Sequence, residues 1–161
     1  MTLIDPTAVI AMLNSTPRRI ASVTLGLSDK DLIWKPSPDS WSVNEVIVHL
    51  RACADVWGDS ILMILREDTP TFRYVSPRTW IRKTNYPQSD FQASFLAFRR
   101  QRDELLKALQ PLAHEDWLRR AIVRATKPRE ETVLSYAHRL AGHEAGHCDQ
   151  INRILHALRR G

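Results

Sequence analysis

Long hydrophobic runs are missing from this sequence of 161 residues. A helix that crosses a bilayer needs about 20 predominantly apolar residues in a row, so no membrane-spanning helix is predicted. The apolar residues near the N-terminus follow no basic stretch and are interrupted by Asp5 and Pro6, unlike the apolar core of a secretory signal. We therefore expect a cytoplasmic protein that does not associate with a membrane.

Cysteine is also scarce, since Cys53 and Cys148 are the only two in the sequence. They lie far apart and form no CxxC pair, which excludes a disulfide framework or a dithiol redox motif as the basis of the fold. Both are expected to be free, buried thiols.

The sequence also has no excess of acidic residues. The chain has 23 Lys and Arg against 18 Asp and Glu, and 18 of the 23 basic residues are arginine. A nucleic-acid-binding domain usually concentrates its basic residues on one element and carries a recognisable reading motif. Here the arginines occur in scattered pairs with acids between them, so a solvated surface is expected and nucleic acid is not an expected partner.

The patterns that are present are helical, and no convincing strand pattern accompanies them. Apolar residues recur every three or four positions, as they do on one face of an amphipathic helix. The predicted helices span residues 6–14, 16–26, 42–66, 89–109, 114–122 and 128–158. The four long ones predict an all-α four-helix bundle in a single domain, residues 1–161. A proline-rich connection between the second and third long helices is long enough to cover an opening.

The last of these helices carries two histidines on its apolar face. His143 and His147 are one turn apart, between Leu140 and Ile151, at the spacing that places residues on one side of a helix. Inward imidazoles need partners, because a buried polar group without a hydrogen bond costs a few kcal/mol (about 1–3). Hydrogen bonds to neighbouring helices and a shared divalent metal ion are both consistent with the pair alone.

The position of His49 favours a shared metal ion over hydrogen bonds to neighbouring helices. His49 lies on the apolar stripe of the helix that begins at Ser42, where Ser42 and Glu45 form a predicted capping box. Three inward histidines from two helices of one bundle supply three nitrogen ligands and leave positions open for water or substrate. That arrangement is typical of catalytic rather than structural sites.

Three further residues are candidates near such an ion. Glu144 and Gln150 lie beside the stripe, where either could orient an imidazole or a bound water; Glu144 is equally consistent with a plain surface carboxylate. Cys53 is one turn after His49 and could be a fourth, softer ligand, or else a small buried hydrophobic residue.

Two motifs together resemble the DinB/YfiT-like superfamily. They are "KPSPDSWSVNEVIVHL", which ends at Leu50, and "HEAGHCDQINRIL", which begins at His143. The resemblance implies a four-helix bundle of up-down-down-up type, often a homodimer, with a divalent ion on three histidines that correspond to His49, His143 and His147. It also implies nickel or zinc as the usual ion, while a site of three nitrogen ligands accepts iron or manganese as well. Some members resemble transferases or isomerases that use low-molecular-weight thiols.

The leading functional hypothesis is therefore a metal-dependent, thiol S-transferase-like enzyme that acts on a small molecule. The metal would lower the pKa of the thiol and so favour the nucleophilic thiolate. The alternative is a non-catalytic metal-binding stress-response protein whose ion is structural and contributes to folding. No residue is assigned a catalytic role beyond metal binding.

Overall fold

The computed structural model describes residues 4–161. Met1–Leu3, which belong to the segment assessed above for a secretory signal, lie outside the described residues. The helices are α1 (Pro6–Thr24), α2 (Asp29–Ile33), α3 (Val43–Cys53), α4 (Asp59–Arg66), α5 (Pro77–Ile81), α6 (Phe91–Leu109), α7 (His114–Trp117) and α8 (Val133–Leu158). The strands are β1 (Thr71–Arg73), β2 (Arg120–Arg124) and β3 (Arg129–Thr132).

Helix α1 corrects the first prediction, which divided this region into two helices at Thr16. The helix continues through Pro17, although an internal proline removes one backbone hydrogen bond and costs about 3 kcal/mol. Residues on both sides of the proline, among them Leu13 and Ile20, are fully buried on the same face, and this tertiary packing outweighs the local penalty. The helix ends at Thr24, close to Gly26, whose φ of 77° needs the conformational freedom of glycine.

The second long helix begins where predicted. The Ser42 hydroxyl accepts from the Glu45 amide at 3.1 Å, and the Glu45 carboxylate accepts from the Ser42 amide at 2.8 Å, which completes the capping box. Helix α3 then passes directly into a π-helical turn, Ala54–Gly58, and continues as α4 to Arg66, the predicted end. Single π-turns of this kind are frequent at functional sites, and this one starts immediately after Cys53.

The structure contains a small three-stranded sheet, although no strand was predicted. Strand β1 pairs in parallel with β2, and β2 pairs antiparallel with β3. Ala121 and Val123 of β2 are buried while Arg120, Ile122 and Arg124 are exposed, the alternation that defines a half-buried strand. The predicted start of the last helix near Pro128 is also wrong, because Arg129–Thr132 form β3 and α8 begins at Val133, capped by the Thr132 hydroxyl.

The four long helices, with α3 and α4 counted as one, pack as the predicted bundle. Helices α1 and α3 each contact both α6 and α8. One part of the core surrounds Tyr136 and Leu140 of α8, and another surrounds Ile151 and Ile154 further along the same helix. His143 and His147 lie in the stretch of α8 between these two parts.

The connection between α4 and α6 is fixed against the π-turn. Asp55 accepts hydrogen bonds from Trp80 Nε1 at 2.8 Å and from the Tyr86 hydroxyl at 2.7 Å, and a third from the Gln101 amide of α6. These bonds hold helix α5 beside α3. Across residues 4–161, no helix is both long enough and apolar enough to cross a membrane.

Candidate metal centre

Three imidazoles converge between α3 and α8. His49 Nε2 lies 2.9 Å from His143 Nε2, and His147 Nε2 lies 3.0 Å from the same atom. The helical periodicity explains the arrangement, since His143 and His147 are one turn apart on α8 and His49 faces them from α3. The structure thus brings together the three histidines selected from the sequence. The other three, His114, His138 and His156, are exposed as expected.

The surroundings of the three imidazoles favour the neutral form. Burial lowers the pKa of His49 to about 4, and the charges of His147, His143 and Arg78 act in the same direction. Burial together with the charge of His147 lowers the pKa of His143 to about 4. Burial also lowers the pKa of His147, against an opposing effect of its bond to Gln150. Neutral imidazole is the form that binds a metal ion.

Gln150 sets the orientation of one ring. His147 Nδ1 lies 2.7 Å from the Gln150 side-chain oxygen. Because an amide oxygen only accepts, Nδ1 must carry the proton, and the unprotonated Nε2 then presents its lone pair to His143. Contacts of this kind fix the tautomer of histidine ligands in metalloproteins. His49 Nδ1, by contrast, is buried without a hydrogen-bond partner in the described part of the chain.

The donor set fits a divalent ion. A single proton shared between imidazoles can satisfy only one of the two short contacts at His143 Nε2, whereas one cation can accept lone pairs from all three rings. Two nitrogen ligands about 2.1 Å from an ion are about 3.0 Å apart at a right angle and about 3.4 Å apart at the tetrahedral angle. The separations of 2.9 and 3.0 Å are close to the right-angle value.

Cys53 lies beside this cluster. Its Sγ is 3.4 Å from His49 Nε2 and 3.6 Å from His143 Nε2, so the ligand atoms of these three residues also form a compact group. The side chain is fully buried. Burial raises the pKa of the thiol, as does the charge of Glu144, which favours the protonated form. The geometry therefore admits Cys53 as a ligand, while its surroundings are those of a small hydrophobic residue.

The environment of Glu144 matches neither of the two predictions, a group that orients an imidazole or a water and a plain surface carboxylate. Glu144 is not a surface carboxylate, because it is fully buried, and its ion-pair partner is Arg102 of α6 rather than an imidazole. Burial raises the pKa of this carboxyl, and the Arg102 guanidinium opposes that shift. Arg102, itself 2% exposed, was not singled out from the sequence, because a single arginine on an amphipathic helix normally indicates the solvent face.

Two tryptophans flank the imidazoles, and neither was selected from the sequence. Trp41 stacks parallel to His147 with ring centroids 6.0 Å apart, and Trp57 of the π-turn meets His143 edge-on at 5.0 Å. The position of Trp41 next to the capping residue Ser42 was an available signal. The position of Trp57 depends on the π-turn, for which the sequence offers no recognised pattern.

The cluster borders open space on the side of α5. A cleft of about 600 Å³ is lined by His147, Gln150, Trp41, Arg78 and Arg153, among others. A second cavity of about 280 Å³ is lined by His49, Trp41 and Arg78, by the polar residues Asn44 and Glu45, and by apolar residues. The long connection thus contributes Arg78 to both spaces, in agreement with the expectation that it covers an opening.

Comparisons with known proteins agree with this architecture. The structure resembles that of YfiT from Bacillus subtilis, described as a probable metal-dependent hydrolase with an unusual four-helix bundle topology, with a TM-score of 0.83. The likeness covers 98% of this chain and 90% of YfiT, at 17% sequence identity. No curated protein matches the chain.

The sequence itself identifies the family. Residues 12–151 match the DinB superfamily, and this range includes all three converging histidines, the capping box and the long connection. The chain therefore belongs to the DinB superfamily.

Proposed function

We propose that this protein is a divalent-metal-dependent enzyme that transfers a low-molecular-weight thiol to an electrophilic small molecule. The observation that carries the metal site is the convergence of three Nε2 atoms at separations of 2.9 and 3.0 Å. His49, His143 and His147 are the proposed ligands, and nickel or zinc is the expected ion, with iron or manganese as alternatives. A homodimer in the cytoplasm remains part of the proposal.

The residues around the site suit an enzyme better than a closed structural centre. Three ligands leave room for a further group, and the cleft beside His147 gives access from solvent. An ion bound here would supply Lewis acidity and lower the pKa of a nucleophile such as a thiol. Gln150 keeps His147 in its ligand tautomer, while Trp41 and Trp57 pack against the rings and restrict their orientation.

Hydrolysis is a second candidate, because YfiT, with which the chain shares its fold, is described as a probable metal-dependent hydrolase. The same ligand set would lower the pKa of a water as readily as that of a thiol. The two reactions differ in the nucleophile and not in the proposed metal ligands.

An activated ester distinguishes these reactions. Release of p-nitrophenolate from p-nitrophenyl acetate would be measured with and without added cysteine, using the metal-loaded protein, the His143→Ala variant and the His156→Ala variant as the control for an exposed histidine on the same helix. A metal-dependent rate that requires cysteine supports thiol transfer, and one that does not require it supports hydrolysis. His143→Ala should show only the uncatalysed rate, whereas His156→Ala should match the wild type.

Chelation separates an enzyme from a protein with a structural ion. Because the bundle has an extensive apolar core, we expect the chelated protein to keep its helical circular dichroism and lose its activity. Unfolding on chelation, together with no metal-dependent rate, would contradict the enzyme and support a structural ion.

A further inference from the structure

Two arginines line the cleft beside the proposed metal centre. Arg78 comes from α5 and Arg153 from α8, and the same cleft contains His147 and Gln150. Arg78 also lines the smaller cavity that reaches His49. Both arginines are exposed, and across residues 4–161 neither has a carboxylate within ion-pair distance.

The position of Arg78 is fixed although its helix is short. The Ser76 hydroxyl accepts from the Thr79 amide at 3.1 Å and so caps α5. Trp80, two residues after Arg78, donates to Asp55 at 2.8 Å. The first bond orders the helical turn that contains Arg78, and the second ties this turn to the π-turn, so the guanidinium starts from a defined point at the cleft.

The charges around the cleft favour an anion. Arg78 and Arg153 are positive, and Asp39 is the acidic residue of the lining. The lining therefore carries an excess of one positive charge before any metal ion is added. Trp41 and Ile154 give the same cleft apolar surface, which suits a short hydrocarbon chain next to the charged group.

From this arrangement we infer that the cleft binds the carboxylate of a small anionic substrate through Arg78 and Arg153, with the reacting end of the molecule toward the three histidines. Guanidinium groups bind carboxylates with paired, charge-assisted hydrogen bonds. The inference rests on the proposed function, which it deepens by naming the substrate class: a carboxylate-bearing thiol or acceptor rather than a neutral one.

A matched pair of small thiols tests this inference. Mercaptoacetate and mercaptoacetamide have nearly the same shape and differ in one carboxylate, which the second replaces by a neutral amide. Binding of each would be measured by isothermal titration calorimetry to the metal-loaded wild type and to Arg78→Ala and Arg153→Ala. Arg100→Ala is the control, because Arg100 is an exposed arginine of α6 that does not line the cleft, and its removal changes the net charge by the same amount.

The wild type should bind mercaptoacetate about tenfold more tightly than mercaptoacetamide. Arg78→Ala and Arg153→Ala should each remove most of that preference and leave the metal content and the affinity for mercaptoacetamide unchanged, while Arg100→Ala should behave as the wild type. Equal affinities in the wild type, no binding of either probe, or equal losses in all three variants would overturn the inference.

The absence of a metal ion would be distinguishable from the absence of a carboxylate preference. If the wild type holds no ion, the proposed function fails, and the same two titrations on that protein still report whether Arg78 and Arg153 select a carboxylate. If the ion is present and the carboxylate preference is not, the proposed function stands and the inference about the cleft fails.

Discussion

Two polar groups that are neighbours on α8 are accommodated in different ways, Glu144 fully buried and His143 half-buried. Glu144 meets Arg102, a group of opposite charge, so each has a partner within the protein. His143, its immediate neighbour in the sequence, meets His49 and His147, which are chemically identical to it. One pair is complementary by itself, and the other cluster becomes complementary only when a cation is added.

The comparison shows why burial alone does not identify a functional site. The Arg102–Glu144 pair is the more deeply buried of the two, at 2% and 0% side-chain exposure, yet it borders neither of the two spaces beside the imidazoles. The histidine cluster is partly accessible and opens toward a cleft. Several nitrogen atoms that converge with their lone pairs next to a cleft indicate a site for a metal ion.

The largest effect on stability is expected when the complementary pair is broken. Glu144→Ala leaves the Arg102 guanidinium buried without its partner, which should lower the free energy of unfolding by about 3–5 kcal/mol. Urea denaturation followed by circular dichroism measures this. The double variant Arg102→Met, Glu144→Leu is the control and should recover most of the loss, because it leaves no unpaired charge. A single variant as stable as the wild type would mean that the pair is not desolvated.

Loss of the hydrogen bond between Gln150 and His147 should weaken metal binding without unfolding the protein. Gln150→Leu removes the acceptor of His147 Nδ1 and should reduce metal affinity by about 10–100-fold. Competition with a chromogenic chelator gives the affinity. Asn152→Leu, on an exposed position of the same helix, should leave it unchanged. Equal affinities in Gln150→Leu and the wild type would show that Gln150 does not act on the ligand ring.

A third polar cluster, around Glu131 on β3, should respond to pH. Burial raises the pKa of Glu131, but bonds from Arg139, Ser135 and Arg129 outweigh it and place the pKa below its usual value of 4.5. Its contribution to stability is therefore present above pH 4.5 and is lost as the pH falls through the lower, folded-state value. Glu131→Gln should be less stable than the wild type by about 1–2 kcal/mol at pH 7.

Thermal unfolding of both proteins across the acid range checks this prediction. The difference between Glu131→Gln and the wild type should shrink as the pH is lowered below 4.5. A difference that is constant with pH would indicate that the ionisation of Glu131 does not stabilise the fold.

The smallest effect is expected at Cys53. Cys53→Ala should keep the ion and lose about 1 kcal/mol of stability, the cost of removing a small buried group. Cobalt substitution sharpens the measurement, because a thiolate ligand gives an intense charge-transfer band in the near ultraviolet. If the wild type shows such a band and Cys53→Ala loses both the band and the ion, Cys53 is a fourth ligand. Four protein ligands close the site and favour a structural ion.

Helical periodicity explains why much of this arrangement could be predicted from the sequence. The spacing of His143 and His147 fixes their shared face once α8 is recognised, and the Ser42–Glu45 capping box fixes the start of the helix that carries His49. The fold class follows from the same apolar stripes. Local rules were sufficient because these features depend on single helices.

Features that depend on contacts between distant segments could not be predicted in this way. Strand β2 is stabilised by pairing with β1, more than forty residues earlier in the chain, and Pro17 is tolerated because of what packs around α1. Glu144 is drawn inward by Arg102 of α6, a partner that no local pattern identifies. The placement of Arg78 at the cleft likewise depends on a contact between distant segments, the bond from Trp80 of α5 to Asp55 of the π-turn.

Metal content by mass spectrometry, on the purified wild type beside His49→Ala and His143→Ala, tests the central claim most directly. We predict about one nickel or zinc ion per chain in the wild type and almost none in either variant, with the helical circular dichroism of all three proteins retained. A wild type that holds no ion, even after incubation with nickel and zinc, would contradict the account and make the three histidines hydrogen-bonding residues of the core.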